Sequence, residues 1–244
     1  DAVNLRQGQL TQDITLLADG RTLLAACCTP QGRVTALPRL RQTDTAIYAL
    51  LPADLLARVA THLRKFVLRA KVEILQAADL HVGAIITGDA AGTQAQGAFD
   101  EAAMTQSLVP LSGSTEVVTF QYAPGREVIA APASAWRSIG GLSLGHPSPR
   151  THADWLAADI AAGLTHVFAA TSEQFIPQML NVDLLDGVSF TKGCYTGQEI
   201  VARTHHLGRV KRRTFCFHLD AGPAPALLSS LLLEGVKVAD VLQA

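Results

Sequence analysis

The stretch Thr191-Lys192-Gly193-Cys194-Tyr195-Thr196-Gly197-Gln198-Glu199 places a thiol two residues after an ammonium group and just before a predicted helix. Thr196 and Glu199 have the spacing of a capping box, in which a hydroxyl and a carboxylate each accept a hydrogen bond from a free backbone N–H. We therefore predict a helix that begins at Gly197. Basic residues occupy its last turn, and Gly208 is predicted to form a left-handed C-terminal cap.

Cys194 is the candidate reactive group of this stretch. A cysteine that lies near a helix N-terminus and beside a lysine is in surroundings that lower a thiol pKa and yield a thiolate. Lys192 supplies the cation, and Gly193 and Gly197 leave the backbone open to a ligand. The alternative is that Cys194 is a small buried hydrophobic residue and that the glycines only form turns. The combination favours a functional site.

Four stretches carry a resemblance to a known family. Lys192 to Glu199 resembles the K-G-C-Y-x-G-Q-E signature of the YgfZ family of folate-binding proteins, relatives of the aminomethyltransferase (T protein) of the glycine cleavage system. Phe175-Ile176-Pro177-Gln178 with Asn181 resembles the F-x-P-Q-x-x-N run of that family. Arg6 to Asp13 resembles its N-terminal Q-G-Q-x-T-x-D stretch, and Thr29 to Val34 fits its early hairpin. The resemblance covers most of the chain.

The resemblance implies an α+β fold, with ferredoxin-like subdomains around a central cavity and a partial C-terminal β-barrel. We divide the chain into an N-terminal α+β unit (residues 1–78), a second α+β unit with the signature loop (79–208) and an incomplete barrel remnant (209–244). Family members end in a complete small barrel, for which the roughly 25 residues after Leu219 are too few. The chain also starts at Asp1 without a methionine. We therefore expect segments to be missing at both ends.

The resemblance also implies a function. It predicts a tetrahydrofolate-binding accessory protein that supports iron–sulfur cluster assembly or repair and thereby tRNA methylthiolation. The expected partners are folate and iron–sulfur enzymes such as the tRNA methylthiotransferases. A folate-dependent aminomethyltransferase or other one-carbon transferase remains an alternative. The Lys-Gly-Cys-Tyr signature is absent from the aminomethyltransferase pattern and favours the accessory protein.

Lys192 and Cys194 are the catalytic candidates, because a thiol beside a cation points to chemistry at sulfur. A pterin needs paired donors and acceptors, and a glutamate tail needs cations. The candidates for folate binding are Gln178, Asn181, Tyr195, Gln198, Glu199, Arg33 and Arg203. Gln178, Asn181 and Gln198 are assigned to the pterin, and Arg33 and Arg203 to the tail. The alternative for Gln178 and Asn181 is that they only satisfy turn backbone.

A remote alternative is a serine hydrolase that uses Ser143. Gly141-Leu142-Ser143-Leu144-Gly145 matches the G-x-S-x-G nucleophile elbow. Pro147 and Pro149 follow at once and cannot continue the helix that the elbow requires. The sequence contains no G-x-G-x-x-G, G-x-x-x-x-G-K-[ST] or H-E-x-x-H motif, so dinucleotide, P-loop and zinc-protease functions have no support.

Composition fits a soluble globular protein, with 48% hydrophobic and 17% charged residues among 244. The formal net charge of −1 argues against direct nucleic-acid binding. Lys192 to Arg213 nevertheless contains six Lys or Arg residues and one acid, so this segment can attract an anionic folate tail. The alternative is a solvated basic face.

The four cysteines form no C-x-x-C pair and no zinc-like spacing, so we predict neither a disulfide framework nor a metal site. No signal peptide is recognisable, and the longest nearly apolar run, near Ala224 to Leu233, is too short to span a bilayer. We therefore expect a cytoplasmic protein without a membrane partner.

Hydrophobic periodicity predicts the remaining elements. A helix is predicted after Pro52 with apolar positions Leu55, Leu56, Val59, Leu63 and Phe66, and another after Thr151, ending at Gly163. The predicted strands are Arg21 to Cys28, Arg33 to Leu37, Thr45 to Leu51, Lys71 to Leu75, Leu80 to Thr87, Glu116 to Tyr122, Glu127 to Ala131 and Thr214 to Leu219.

Overall fold

The computed structural model describes residues 7–67, 72–86, 97–98, 106–109, 117–139, 152–218 and 222–244. Within these residues the chain is of mixed α/β class with several small antiparallel sheets and no closed barrel. The ferredoxin-like subdomains stay a prediction. The predicted nucleophile elbow with Ser143, the residue Arg6 and the helix cap at Thr151 lie outside the described residues. No helix in the described ranges has the length and apolar character that a membrane crossing requires.

Strands and helices alternate irregularly along the chain. In chain order, the strands of the described residues are β1 (Thr22–Leu24), β2 (Cys27–Cys28), β3 (Val34–Ala36), β4 (Arg39–Gln42), β5 (Ile47–Pro52), β6 (Leu80–Ile86), β7 (Gly97–Ala98), β8 (Gln106–Val109), β9 (Val118–Ala123), β10 (Arg126–Pro132), β11 (Ser230–Leu233) and β12 (Val236–Asp240). The α-helices are α1 (Ala53–Arg64), α2 (Ala133–Ile139), α3 (His152–Ala161) and α4 (Gln198–His206), and two 3₁₀-helices span Ile14–Asp19 and Pro177–Leu180.

The first sheet has the strand order β1-β4-β5-β8, with every neighbouring pair antiparallel. Helix α1 follows β5 directly and packs against β5 and β8. Its side chains at Leu55, Leu56 and Val59 are buried, at the helical spacing that the sequence predicts. They join the larger hydrophobic core, to which the β2–β3 hairpin also contributes. The predicted helix and the predicted hairpin around Gly32 are both confirmed.

The second sheet has the order β7-β6-β10-β9, and the long strand β10 pairs antiparallel with β6 and β9. Gly125, at φ +67°, forms the turn between β9 and β10 and confirms that predicted hairpin. Phe120 and Val128 lie in a second core with Trp155 from helix α3. The predicted helix before Gly163 is therefore confirmed over its described residues, and it covers this sheet.

Two predicted strands are wrong. Residues 72–77 form no strand, and residues 214–218 have no strand pairing to any described residue. Alternation of apolar and polar side chains favours a strand only when a neighbouring strand can accept its backbone hydrogen bonds. Thr214 instead accepts a hydrogen bond at its carbonyl from Asn181 Nδ2 and donates its hydroxyl to the Met179 carbonyl. In the predicted barrel remnant, β11 and β12 pair only with each other within the described residues.

A buried ionic cluster lies between the second sheet and helix α3. Arg126 on β10 is 1% exposed, and its guanidinium contacts Asp159, which is fully buried on α3. His166 Nε2 lies 2.5 Å from the other Asp159 oxygen, and the Tyr122 hydroxyl lies 3.2 Å from the same nitrogen. The carboxylate therefore joins a strand, a helix and the segment that follows the helix.

Asp159→Asn should destabilise the protein strongly. The change leaves the Arg126 charge buried without its counter-ion, which costs about 3 kcal/mol or more of the free energy of unfolding. Asp19→Asn is the matched control, because Asp19 pairs with Arg21 at 3.7 Å on the surface and its loss should cost at most about 0.5 kcal/mol. Urea denaturation measures both values. Equal losses in the two variants would contradict the role given to the buried pair.

Candidate functional site

The signature loop, residues 191–197, leads into helix α4, and the predicted capping box is wrong. Helix α4 begins at Gln198, and its N-cap is Gly197 in the left-handed conformation, with no side-chain cap. The N–H of Thr196 donates to the Gly8 carbonyl at 3.0 Å, and its hydroxyl lies 3.5 Å from the same oxygen. Glu199 is exposed. The threonine is thus used to bind the N-terminal segment rather than to cap the helix.

The other end of α4 also differs from the prediction. Its C-cap is Leu207 with φ −122°, so Gly208 does not form a left-handed cap. Gly208 lies tightly against the helix instead, since a Cβ there would lie 2.9 Å from Thr204 Cα. The basic last turn is present as predicted, and the His205 ring stacks on Phe190 with 3.7 Å between ring centroids.

Two glycines bring the signature loop against the β2–β3 hairpin. Gly197 has φ +86°, and a Cβ there would lie 2.6 Å from the Thr29 carbonyl oxygen and 3.0 Å from Gly32 Cα. Gly32 has φ +70°, and its Cβ would lie 2.9 Å from Cβ of Ile200. A left-handed backbone and a backbone neighbour at such a distance both require glycine. The two turns therefore touch through their main chains, which fixes where α4 begins.

Lys192 holds the N-terminal segment against the same loop. Its Nζ donates to the carbonyl oxygens of Gln7 at 2.7 Å, Leu10 at 2.8 Å and Gln12 at 2.9 Å. An ammonium has three donors, so these bonds use all of them. Burial lowers the pKa of Lys192 to about 8, against the opposing effect of the Asp13 carboxylate. The sequence did not show this structural role.

Cys194 is exposed on the loop, whereas Cys27 and Cys28 are buried in the β2–β3 hairpin. Burial raises the pKa of Cys27 to about 12 and raises that of Cys28 further, with an added contribution from Cys27. These two thiols are therefore protonated at neutral pH and closed to reagents in solution. Cys216 is the other exposed thiol. The reactivity of Cys194 stays a prediction.

Tyr195 is the buried member of the signature loop, with 6% of its surface exposed. Its ring centroid is 5.4 Å from Lys192 Nζ, within the range of a cation–π contact. Burial and the neighbouring Cys28 raise the pKa of Tyr195, so the phenol stays neutral. Its hydroxyl is buried and has no hydrogen-bond partner among the described residues.

The amide side chains of Gln178 and Asn181 bind the protein itself. Gln178 is fully buried and donates from Nε2 to the Val201 carbonyl of α4 at 2.7 Å. Asn181 ends the second 3₁₀-helix at φ 56°, donates to the Thr214 carbonyl and accepts from Arg213. Both side chains thus hydrogen-bond backbone groups, and Gln178 does so within helix α4 rather than in a turn. The Oε1 atom of Gln178 is buried and has no partner within the described residues.

The remaining candidates lie on the surface around the loop. Arg33 is exposed on the hairpin turn and donates to the Gln174 carbonyl at 2.7 Å. Arg203 is exposed in the last turn of α4, and Gln198 is half-buried in its first turn. The structure therefore brings the loop, α4, the hairpin turn and the N-terminal segment together. The roles of these side chains in folate binding stay predictions.

The buried cluster of Arg126, Asp159, His166 and Tyr122 was not predicted from the sequence. Its members come from a hairpin, a helix and a later segment, so no motif with a fixed spacing connects them. Arg126 at the start of β10, a strand that is apolar from Val128 onwards, is the sequence signal that could have indicated a buried partner.

The fold and this site define a mixed α/β protein with an exposed cysteine on a loop that glycines and a lysine hold in place. No family model matches the chain. The chain is 33% identical over 230 residues to the tRNA-modifying protein YgfZ of Yersinia pseudotuberculosis serotype IB (strain PB1/+), which covers 93% of this chain and 68% of the relative.

A second relative is similarly close. Over 234 residues the chain is 32% identical to the tRNA-modifying protein YgfZ of Shigella sonnei (strain Ss046), which covers 96% of this chain and 72% of that protein. The chain therefore belongs to the YgfZ family, and the resemblance seen in its sequence is confirmed.

Gly197→Ala should destabilise the protein, and Gly193→Ala should not. At Gly197 the added methyl meets the Thr29 carbonyl oxygen in a left-handed backbone, which together cost about 2 kcal/mol or more. At Gly193 nothing lies within 4 Å of the added Cβ. Chemical denaturation of both variants measures the difference. If Gly197→Ala leaves the free energy of unfolding unchanged, the two turns can separate without cost.

Lys192→Met should loosen the N-terminal segment. The methionine keeps much of the apolar stem but leaves three carbonyls without their donor, for a loss of about 2–4 kcal/mol. Amide hydrogen exchange of residues 7–13 should quicken more than exchange elsewhere. Lys237→Met is the control, because Lys237 forms an exposed pair with Asp240. Unchanged exchange in Lys192→Met would refute the structural role of the ammonium.

Proposed function

We propose that this protein is a tetrahydrofolate-binding accessory factor for iron–sulfur cluster assembly or repair, and that it thereby supports tRNA methylthiolation in the cytoplasm. Its relatives are named tRNA-modifying proteins, which supports a role in tRNA modification. The signature stretch supports the folate and iron–sulfur parts through the resemblance it carries. Iron–sulfur enzymes such as tRNA methylthiotransferases are the proposed partners.

One observation carries the chemical part of the proposal. Cys194 is exposed on a loop whose backbone is fixed by the Gly197–Gly32 contact and by Lys192. A thiol that is accessible and held in a fixed loop can act as a nucleophile without the entropic cost of first ordering the chain around it. In contrast, a thiol adds little affinity to a pure binding pocket, because its hydrogen bonds are weak. We therefore assign reactivity to Cys194 and positioning of the loop to Lys192.

The folate tail is proposed to lie along the basic surface of helix α4 and the segment after it. Arg203, Arg209, Lys211 and Arg212 are exposed there and can pair with the carboxylates of a glutamyl tail. Gln198 and Glu199 in the first turn of α4 offer the donor and acceptor groups that a pterin needs. Gln178 supports this site indirectly, since its amide fixes the Val201 carbonyl within α4.

Cys194→Ser separates reactivity from binding. The serine keeps the size of the side chain but loses the nucleophile, so tetrahydrofolate affinity should stay within about twofold while tRNA methylthiolation in cells falls at least about tenfold. Isothermal titration measures the affinity, and analysis of modified tRNA nucleosides measures the function. Cys216→Ser is the control, since it removes the other exposed thiol.

The outcomes distinguish the alternatives. If cells that carry Cys194→Ser methylthiolate their tRNA fully, Cys194 is a surface residue without a chemical role. Failure of the unaltered protein to bind tetrahydrofolate would refute the folate part of the proposal. Transfer of an aminomethyl group to tetrahydrofolate in a glycine-cleavage partial reaction would favour the aminomethyltransferase instead.

A further inference from the structure

A basic strip, residues 209–217, follows the end of helix α4. Arg209, Lys211 and Arg212 are exposed on it. The sequence contains no Asp or Glu between Glu199 and Asp220, so these cations have no acid beside them along the chain. The formal net charge of −1 is an average over the whole chain, and a local excess of this kind still attracts an anion.

Asp183 and Asp240 interact with the basic strip, and both are already paired. Both oxygens of Asp183 accept hydrogen bonds from the Arg213 guanidinium, at 2.9 and 2.8 Å. The hydrogen bond from Lys237 and, to a smaller extent, the charge of Arg212 lower the pKa of Asp240. Lys237 lies 2.6 Å from that carboxylate and balances it. Neither acid therefore cancels the charge of the three exposed cations.

The middle of the basic strip is fixed to the body of the protein, whereas its aromatic rings point to solvent. The Thr214 hydroxyl donates to the Met179 carbonyl at 2.9 Å, and the Thr214 carbonyl accepts from Asn181 Nδ2 at 2.8 Å. Phe215 and Phe217 follow at once and are 71% and 64% exposed. Two phenyl rings are thus held in water beside three cations, on a segment that is ordered before any ligand arrives.

A charged chain with flat side groups matches this arrangement. Each nucleotide of a nucleic acid carries one negative phosphate and one base whose face can stack on a phenyl ring. The bases of a duplex stack on one another and are not free to do so, which favours an unpaired strand. An acidic peptide would pair with the cations but would leave both rings without a flat partner.

We propose that the basic strip binds single-stranded RNA, with Arg209, Lys211 and Arg212 on the phosphates and Phe215 and Phe217 against the bases. The choice of RNA rests on the proposed role in tRNA modification. Direct contact goes beyond that role, in which the protein reaches tRNA through partner enzymes. The proposed folate tail uses the same three cations but neither ring, so changes at the rings separate the two ligands.

Fluorescence anisotropy of a labelled uridine oligonucleotide of about 12 residues tests the binding without folate. Three phosphate contacts should make the affinity fall about 20-fold between about 50 and 200 mM salt. Absence of binding at the lower salt would overturn the proposal and leave the Cys194→Ser result unaffected. Tighter binding of duplex RNA or oligoglutamate would overturn the single-strand assignment, and tighter binding of a thymidine oligodeoxynucleotide would overturn the choice of RNA.

The double variant Phe215→Leu, Phe217→Leu keeps two apolar side chains but removes both rings, so the affinity should fall at least about tenfold. Leu232→Ala is the control, because Leu232 on β11 is also 64% exposed and should leave the affinity within about twofold. Unchanged affinity in the double variant would overturn the stacking role and with it the proposal.

Lys211→Gln tests the phosphate contacts. It should reduce the slope of log affinity against log salt by about 0.7, because one fewer phosphate is neutralised. Lys65→Gln removes an exposed charge at the end of α1 and should leave the slope unchanged. An equal change of slope in both variants would show that only the overall charge matters and would overturn the assignment to the basic strip.

Discussion

The ammonium of Lys192 is the interaction on which the arrangement of the signature region depends. It donates to three carbonyls of residues 7–12, so a segment at the start of the sequence is held to a loop some 180 positions later. Closing such a long loop is entropically costly, and a charged donor with three acceptors is a strong compensation. Thr11 adds to the same contact by donating its hydroxyl to the Gly187 carbonyl. The signature residues therefore hold the fold together as well as carrying the exposed thiol.

The signature loop combines a structural contact with an exposed thiol, which explains why Lys192 and Cys194 are so close in the sequence. The donors of Lys192 point to the N-terminal segment, which fixes the loop backbone, while Cys194 remains exposed two residues later. The contact between Gly197 and Gly32 fixes the other end of the loop. A side chain between two fixed points keeps its position without a lining of other side chains, so Cys194 stays exposed. The proposed reaction with a protein partner requires such access, whereas a small substrate is usually enclosed.

Local patterns predicted the elements whose causes are local. The spacing of Leu55, Leu56 and Val59 gave helix α1, and Gly125 marked the turn between β9 and β10. The capping box at Thr196 failed because a tertiary acceptor, the Gly8 carbonyl, competes for the same side chain. The strand predicted from Thr214 failed because alternation cannot reveal whether a partner strand is present. The same distinction holds at the candidate site. The sequence indicated the loop and its thiol. It could not indicate the acceptors of Lys192 or the backbone contacts of Gln178 and Asn181, because these acceptors belong to distant chain segments.

The buried charges around Arg39 and Arg126 raise a different question, since a hydrophobic substitute usually serves stability as well as a buried ion pair does. Asp159 contacts Arg126 and His166 and lies near Tyr122, so one carboxylate orders several polar groups between the second sheet and helix α3. Removing one member alone leaves the opposite charge buried without a partner, which costs more than the pair itself contributes. The cluster can therefore be replaced only as a whole, and Asp159 meanwhile fixes how the β9–β10 hairpin, α3 and the segment after α3 meet.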